Sequence, residues 1–200
     1  MDTNSLLEQF EPYQALLFDL DGTLADTMPL HYQACQEVCN PLGFEFPLDF
    51  FHDQAGIPTK QVFINLMKKL NLPHDGISLA VQKEKRFIEL IPLVKPMEFS
   101  LALIKKFGHL KKIAIGSGGE RITVIKTLEA LNLDVDYHSI ITADDVQHHK
   151  PHPETFMKCA EACGIPPSKC VVLEDGILGM QAANTAQMDC FDIVKMTFFR

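Results

Sequence analysis

The chain has 200 residues, 46% of them hydrophobic and 22% charged, and its 26 acidic against 18 basic side chains give a formal net charge of −8. That length and balance suit one globular core, or one core with a small second domain, and they oppose a phosphate-backbone binder, so nucleic acid is excluded as the main partner. Apolar runs such as Ala15 to Phe18 and Ile113 to Ile115 are far too short to span a bilayer. The polar, acidic start Met1 to Glu11 has no basic segment followed by an apolar one, so a cytoplasmic protein without membrane contact is expected.

In chain order, the first β-branched or aliphatic run is Ala15 to Leu20, which reads as a strand buried on both faces. From 26 to 96 only helical patterns follow. Pro29 stands where a first helical turn begins, and Tyr32, Cys35, Val38 and Cys39 form an apolar stripe behind it. Further helices fit Thr59 to Leu70 and Ser78 to Leu90; the loop Gly56-Ile57-Pro58-Thr59 separates helical stretches, and Pro92 and Pro96 mark the return to the sheet.

After 96, strand and helix alternate. Strands are expected at Lys112 to Gly116, Ser139 to Thr142, Cys170 to Glu174 and Cys190 to Val194. Apolar residues three and four apart mark the helices between them: Phe99, Leu103 and Phe107; Ile122, Ile125 and Leu128; Phe156, Ala160 and Cys163; Ile177, Met180 and Ala183. This pattern predicts an α/β fold, a parallel sheet covered by helices on both faces, with an all-helical domain inserted after the first strand. The core would comprise 1–25 and 97–200 and the insert 26–96, hinged by two linkers. Six cysteines, with Cys35/Cys39 and Cys159/Cys163 each four apart, lack zinc or redox spacing and read as reduced, apolar side chains.

Chemistry concentrates at the ends of these strands. Asp19-Leu20-Asp21-Gly22-Thr23 follows the first strand, whose alternation points Asp19 and Asp21 the same way at its carboxyl end. Glu174-Asp175 ends a later strand, which a parallel sheet brings beside Asp19. Four carboxyl groups at one sheet end make a hard, oxygen-rich site suited to Mg²⁺ rather than zinc. Donors for an anion close two other strands: Ser117, in the turn Gly116-Ser117-Gly118-Gly119, and Lys150, in His148-His149-Lys150-Pro151. A hydroxyl with neighbouring N–H groups, and an ammonium, suit phosphoryl oxygens.

Those four motifs, in that order, resemble the haloacid dehalogenase superfamily of phosphotransferases. Further stretches are similar to its β-phosphoglucomutase-like branch, and within it to small bacterial fructose-1-phosphate and 6-phosphogluconate phosphatases: Ala25 to His31, Gly56 to Thr59, Asp144-Asp145-Val146, and Glu174-Asp175-Gly176 before Gly179 to Ala183. The similarity runs from about Tyr13 to Val194. It implies a Rossmann-like core with a helical cap, and hydrolysis of a small phosphorylated sugar by a monomer or homodimer. Residue by residue, it implies that Asp19 is the nucleophile that becomes an aspartyl-phosphate, and Asp21 the general acid/base. Mg²⁺ would be held by Asp19, the Asp21 carbonyl and Asp175, with Glu174 either a further ligand or bonded behind the ligands, while Ser117, Gly118 and Lys150 clamp the phosphoryl group. In the cap, His31 matches a histidine that assists the acid/base and Lys83 falls near a lysine that contacts a distal phosphate.

The chain also departs from that pattern. Thr59, in Pro58-Thr59-Lys60, stands where the mutases carry an arginine for a second phosphate, which argues against holding a bisphosphate. Gly176 stands where a serine often follows the Glu-Asp pair. The run Gln82-Lys83-Glu84-Lys85-Arg86 also reads as a solvated helix face, and His148, His149 and His152, set around two prolines, suit no regular metal-binding face. A sugar-phosphate mutase is the nearest rival activity. A phospho-accepting signalling module without turnover is the non-enzymatic rival, opposed by the insert and by Asp21.

Overall fold

The computed structural model describes residues 3–54 and 57–199. Gly56, the first residue of the expected loop Gly56-Ile57-Pro58-Thr59, lies outside them. The chain divides into two compact units, one formed by 1–26 with 95–200 and the other by 27–94.

The first unit is built on a six-stranded sheet in the order β3-β2-β1-β4-β5-β6. Its strands are β1 (Ala15–Phe18), β2 (Lys112–Gly116), β3 (Tyr137–Ile141), β4 (Cys170–Glu174), β5 (Asp189–Asp192) and β6 (Thr197–Phe199). All neighbours run parallel except β5 and β6, which are antiparallel. The chain steps outward from β1 through β2 to β3, then crosses back to lay β4 on the other side of β1. Ligands bind at such reversals, outside the carboxyl ends of the strands.

Residues along β1 and β4 are buried on both faces, so the strands read as unbroken apolar runs rather than alternations. One face carries Ala15, Leu17, Ala114 and Val172 against α8 (Glu154–Cys163) and α9 (Ile177–Thr185). Phe156, Cys159 and Ala160 of α8 and Met180 and Ala183 of α9 fill that layer. Elsewhere α1 (Thr3–Glu8) leads to Phe10, which packs with Phe99 of α6 (Glu98–Phe107) and with Phe191 and Phe198. The remaining helix of this unit is α7 (Arg121–Leu131).

Among its described residues the second unit holds helices and no strand: α2 (Met28–Cys39), α3 (Leu48–Asp53), α4 (Thr59–Leu70) and α5 (Gly76–Leu90). Its core joins Cys35 and Cys39 of α2 to Phe46, Phe50, Phe63, Leu66 and Leu79. α5 begins before the expected Ser78, because the Asp75 carboxylate accepts the N–H groups of Ile77 and Ser78. Lys83, read either as a cap lysine near a distal phosphate or as part of a solvated face, is only 4% exposed, which removes the second reading.

Other expectations shift at element ends. β1 stops at Phe18, β3 starts two residues earlier than expected, and β5 ends at Asp192, whose carboxylate accepts the N–H groups of Val194 and Lys195 and turns the chain into β6. Ile122 and Ile177, placed on the buried stripes of their helices, are exposed: α7 buries Val124, Thr127, Leu128 and Leu131, which puts Ile122 on the opposite face, and Ile177 is the first residue of α9. All six cysteines are buried free thiols, and burial pushes those of Cys35, Cys39, Cys159, Cys170 and Cys190 up to about 12. No helix among the described residues is long and apolar enough to cross a membrane.

Phe191 is fully buried and touches three other rings, with Phe10 at 5.1 Å, Phe99 at 5.4 Å and Phe198 at 5.3 Å between centroids. Phe191→Ala is expected to lower unfolding free energy by about 3–5 kcal/mol, read by urea denaturation.

Candidate active site

In-register pairing of Phe18 with Leu173 brings the ends of β1 and β4 level, and Asp19 N–H continues the ladder to the Leu173 carbonyl at 3.0 Å. Asp19 and Glu174, the next residue of each strand, therefore lie side by side. One ligand oxygen from each of Asp19, Glu174 and Asp175 falls within 4.8 Å of the others.

A single ammonium is inserted among them. Lys150 Nζ donates to Asp19 Oδ1 at 2.5 Å and to Glu174 Oε1 at 2.7 Å, and lies 4.6 Å from the centre of the Phe156 ring. Burial alone would depress the Lys150 pKa, but the carboxylates of Asp19 and Glu174 outweigh it and hold the amine above its ordinary value. Asp19 is shifted the other way for a carboxylate, well up: burial is the main cause, and Glu174, Asp175 and Asp21 add repulsion that Lys150 only partly offsets. Asp175 is pushed up to about 6 by burial and by Glu174. Three crowded carboxyls facing one lysine carry an excess of negative charge, and all their donor atoms are oxygen. That donor set fits a hard divalent cation of the Mg²⁺ type.

Glycines make room for this arrangement. At Gly22 the backbone has φ +83°, and a Cβ would lie 2.5 Å from Asp175 Oδ2; at Gly179 a Cβ would lie 1.6 Å from Glu174 Oε1. Asp175 Oδ1 accepts from Thr23 Oγ1 at 2.8 Å, and Glu174 Oε2 accepts the Gly176 N–H at 2.6 Å.

Asp21 reaches its place differently from the sequence expectation. β1 ends at Phe18, so strand alternation does not set it; the turn at Gly22, closed by Gly22 N–H to the Ala25 carbonyl at 2.8 Å, does. Its side chain stands outside the three-carboxylate cluster, towards Ser117: a Cβ on Gly119 would be 3.9 Å from Asp21 Oδ2 and 3.3 Å from Ser117 Oγ. Ser117 is buried at the end of β2, where its Oγ accepts the Gly119 N–H at 3.0 Å, while Gly118 is exposed at the tip of the turn. The first unit thus gathers Asp19, Asp21, Ser117, Gly118, Lys150, Glu174 and Asp175 at one sheet edge.

His31, Thr59 and Lys83 form a separate group inside the helical unit. Lys83 Nζ donates to His31 Nδ1 at 2.7 Å and to Glu84 Oε1 at 3.1 Å, and Thr59 Oγ1 donates to the same Glu84 oxygen at 2.5 Å. His31 stacks on Phe87 with ring centres 3.6 Å apart. Since a lysine ammonium only donates, His31 Nδ1 accepts and its other nitrogen carries the proton.

Sequence reasoning missed Phe156 beneath Lys150, the space kept by Gly179, and Glu84. Phe156 was legible only as a core residue of α8, and Gly179 only as part of a similar stretch.

The chain belongs to the haloacid dehalogenase-like hydrolase family, whose pattern it matches over residues 16–193. It is an enzyme of that class. It is 40% identical over 188 residues to a protein of Haemophilus influenzae, covering 93% of this chain and 94% of that one. It is 33% identical over 185 residues to fructose-1-phosphate phosphatase YqaB of Escherichia coli K12, covering 92% and 98%. The crystal structure of β-phosphoglucomutase from Clostridium difficile superposes with a TM-score of 0.73 at 25% identity, over 90% and 83% of the two chains.

Two outcomes test the site. Gly179→Ala forces Glu174 aside and breaks its bonds to Lys150 and Gly176, so activity should drop and stability should fall by about 1–3 kcal/mol in denaturant titration. Asp175, near 6 when folded and about 3.9 when unfolded, keeps its proton longer in the folded state. In chelator its contribution to stability is therefore present below about pH 4, is lost as pH rises to about 6, and is flat above. Unfolding curves across this range should show that decline in the parent protein and a shallower one in Asp175→Asn.

Proposed function

We propose that the chain is a Mg²⁺-dependent phosphatase of small phosphorylated sugars that works through an aspartyl-phosphate. The observation that carries the reading is the grouping of Asp19 with Lys150, Glu174 and Asp175 at the carboxyl edge, where the strand order reverses. The 33% identity to the Escherichia coli fructose-1-phosphate phosphatase supports a hexose phosphate of that kind, with 6-phosphogluconate as the second candidate.

Mechanism follows from the groups in place. An Asp19 oxygen attacks phosphorus, the bond from phosphorus to the sugar oxygen breaks, and Asp21 gives its proton to the departing alkoxide. Asp21 then takes a proton from water, which attacks the same phosphorus and releases inorganic phosphate and the free Asp19 carboxylate. Lys150 and the Ser117–Gly119 turn receive the phosphoryl oxygens and neutralise their charge. Held by Asp19, Glu174, Asp175 and the Asp21 carbonyl, Mg²⁺ would supply charge neutralisation between attacking carboxylate and phosphate.

Within the helical unit, His31, Lys83 and Thr59 are the residues we assign to reading the sugar. Thr59 and Lys83 both bond Glu84, so this group carries no surplus positive charge for a second phosphate. That supports hydrolysis of a monophosphate over a mutase cycle primed by a bisphosphate.

Phosphate release should be measured on fructose 1-phosphate, 6-phosphogluconate and glucose 1-phosphate, with Mg²⁺ and with chelator. Turnover should require the metal, and Asp21→Asn should lower it by roughly 10²–10⁴-fold. Asp19→Asn, folded as judged by circular dichroism, should leave none; undiminished turnover in that variant defeats the assignment of the nucleophile. Isomerisation of a hexose 1-phosphate without phosphate release would establish the mutase instead.

A further inference from the structure

Outside that edge, the loop bearing Lys150 builds a second cluster, which the spacing of its histidines does not announce. His148, His152 and Glu154 each place one ligand atom within 4.8 Å of the others. His148 Nδ1 lies 3.1 Å from Glu154 Oε2, and the two imidazole rings are 4.5 Å apart between centres, tilted by 33°. The prolines that prevent a regular face are what allow this: between them the chain folds back, with His152 N–H on the His149 carbonyl at 3.0 Å, and brings residue 152 over residue 148.

Glu154 is fixed before any ligand arrives. Its Oε1 accepts the Gln147 N–H and the Lys158 ammonium, each at 3.0 Å, and its Oε2 accepts the His148 N–H at 3.0 Å. The second lone pair of Oε2 points to His148 Nδ1, so one position is shared between a carboxylate oxygen and an imidazole nitrogen. Zinc bonds of 2.0–2.2 Å in a tetrahedron separate neighbouring ligand atoms by about 3.4 Å, near the 3.1 Å between His148 Nδ1 and Glu154 Oε2, with a His152 nitrogen within 4.8 Å of both. Nearby, His152 Nδ1 faces the Glu154 N–H at 3.3 Å, a long bond that a modest ring rotation releases. Both histidines are exposed, beside an open groove lined by Gln147, Met157, Lys158 and Pro167, so further coordination positions face solvent.

We propose that His148, His152 and Glu154 bind a divalent transition-metal ion of the Zn²⁺ class. Two nitrogens and one oxygen are borderline donors, unlike the all-oxygen set around Asp19, so the two sites select different ions. Two of the ligands flank Lys150, the residue that bonds Asp19 and Glu174. Metal there therefore closes the loop on both sides of that lysine and braces it.

The test is a Zn²⁺ titration against a chromophoric competing chelator, in excess Mg²⁺ to occupy the all-oxygen site. The parent chain and Asp19→Asn should each take up one Mg²⁺-resistant Zn²⁺. His148→Ala and His152→Ala should weaken that uptake by roughly tenfold or more, while His149→Ala leaves it unchanged. Equal uptake in the parent and both histidine variants, or its loss in Asp19→Asn alone, overturns the proposal. The same holds if the imidazole proton resonances of His148 and His152 in the parent chain do not move on adding Zn²⁺, a reading that needs no variant to fold.

Discussion

The ammonium of Lys150, held between Asp19 and Glu174, is the interaction on which the first unit's chemistry depends. Parallel strands that end level deliver carboxylates to one edge whether or not they repel, and β1 and β4 deliver three within 4.8 Å. Without a cation such a cluster takes up protons, which is what the raised pKa values of Asp19 and Asp175 express. One lysine offsets part of this and leaves the rest as an affinity for a metal. Its position is therefore set with care: Phe156 lies under it, and Glu154 ties down the loop from which it projects.

Space is the second constraint. Glu174 can meet Lys150 because residue 179 has no side chain, and Asp175 can meet Thr23 because residue 22 has none. At Gly22 the demand is double, since the left-handed φ is also unfavourable for any other residue. These two glycines act on the carboxylates directly; they shape the site by what they leave empty. Ser117 and Gly119 complete the edge with a turn closed by the Gly119 N–H on the Ser117 hydroxyl.

Strand identity was legible because β1, β2 and β4 are short apolar runs ended by Asp, Gly-Ser and Glu, and the helical stretch 26–96 was legible because no such run interrupts it. Boundaries were less so. β1 was read through Leu20, but a turn takes over after Asp19, because the Gly22 N–H pairs with Ala25 rather than with a neighbouring strand. Strand β6 was invisible as three residues at the chain's end, and its reason is tertiary: Phe198 packs on Phe191 and Phe10. Asp19, Ser117 and Glu174 were legible from their places at strand ends; Asp21 and Lys150 were read the same way, but a turn at Gly22 sets Asp21, and Lys150 stands on a loop beyond the end of β3 rather than closing it. The His148–His152 pair was not legible, because periodicity has nothing to say about a loop that folds back on itself. Lys83 was misjudged for a related reason: a charged run along α5 gives no sign of which member turns inward, and only its partners His31 and Glu84, one of them distant in sequence, make its burial tolerable.

Lys83, buried, and Lys150, largely so, solve one problem in opposite ways. Each lies near a phenylalanine ring, Lys150 at 4.6 Å from Phe156 and Lys83 at 5.1 Å from Phe87, and each is bonded to a carboxylate. Lys150, however, meets two carboxylates with a third close by, whereas Lys83 meets one carboxylate and a histidine nitrogen. A buried ion pair is weak evidence for stability, since well-packed apolar groups do as well. On the proposed reading, its place inside a small helical unit serves recognition. A matched pair with a hydroxyl and an imidazole beside it offers donors and acceptors without net charge, which suits the hydroxyls of a sugar and not a second phosphate. The charge imbalance at the sheet edge suits the opposite task, holding a cation and through it an anion. On the proposed reading, the difference between these two environments is what separates reaction from specificity in this enzyme.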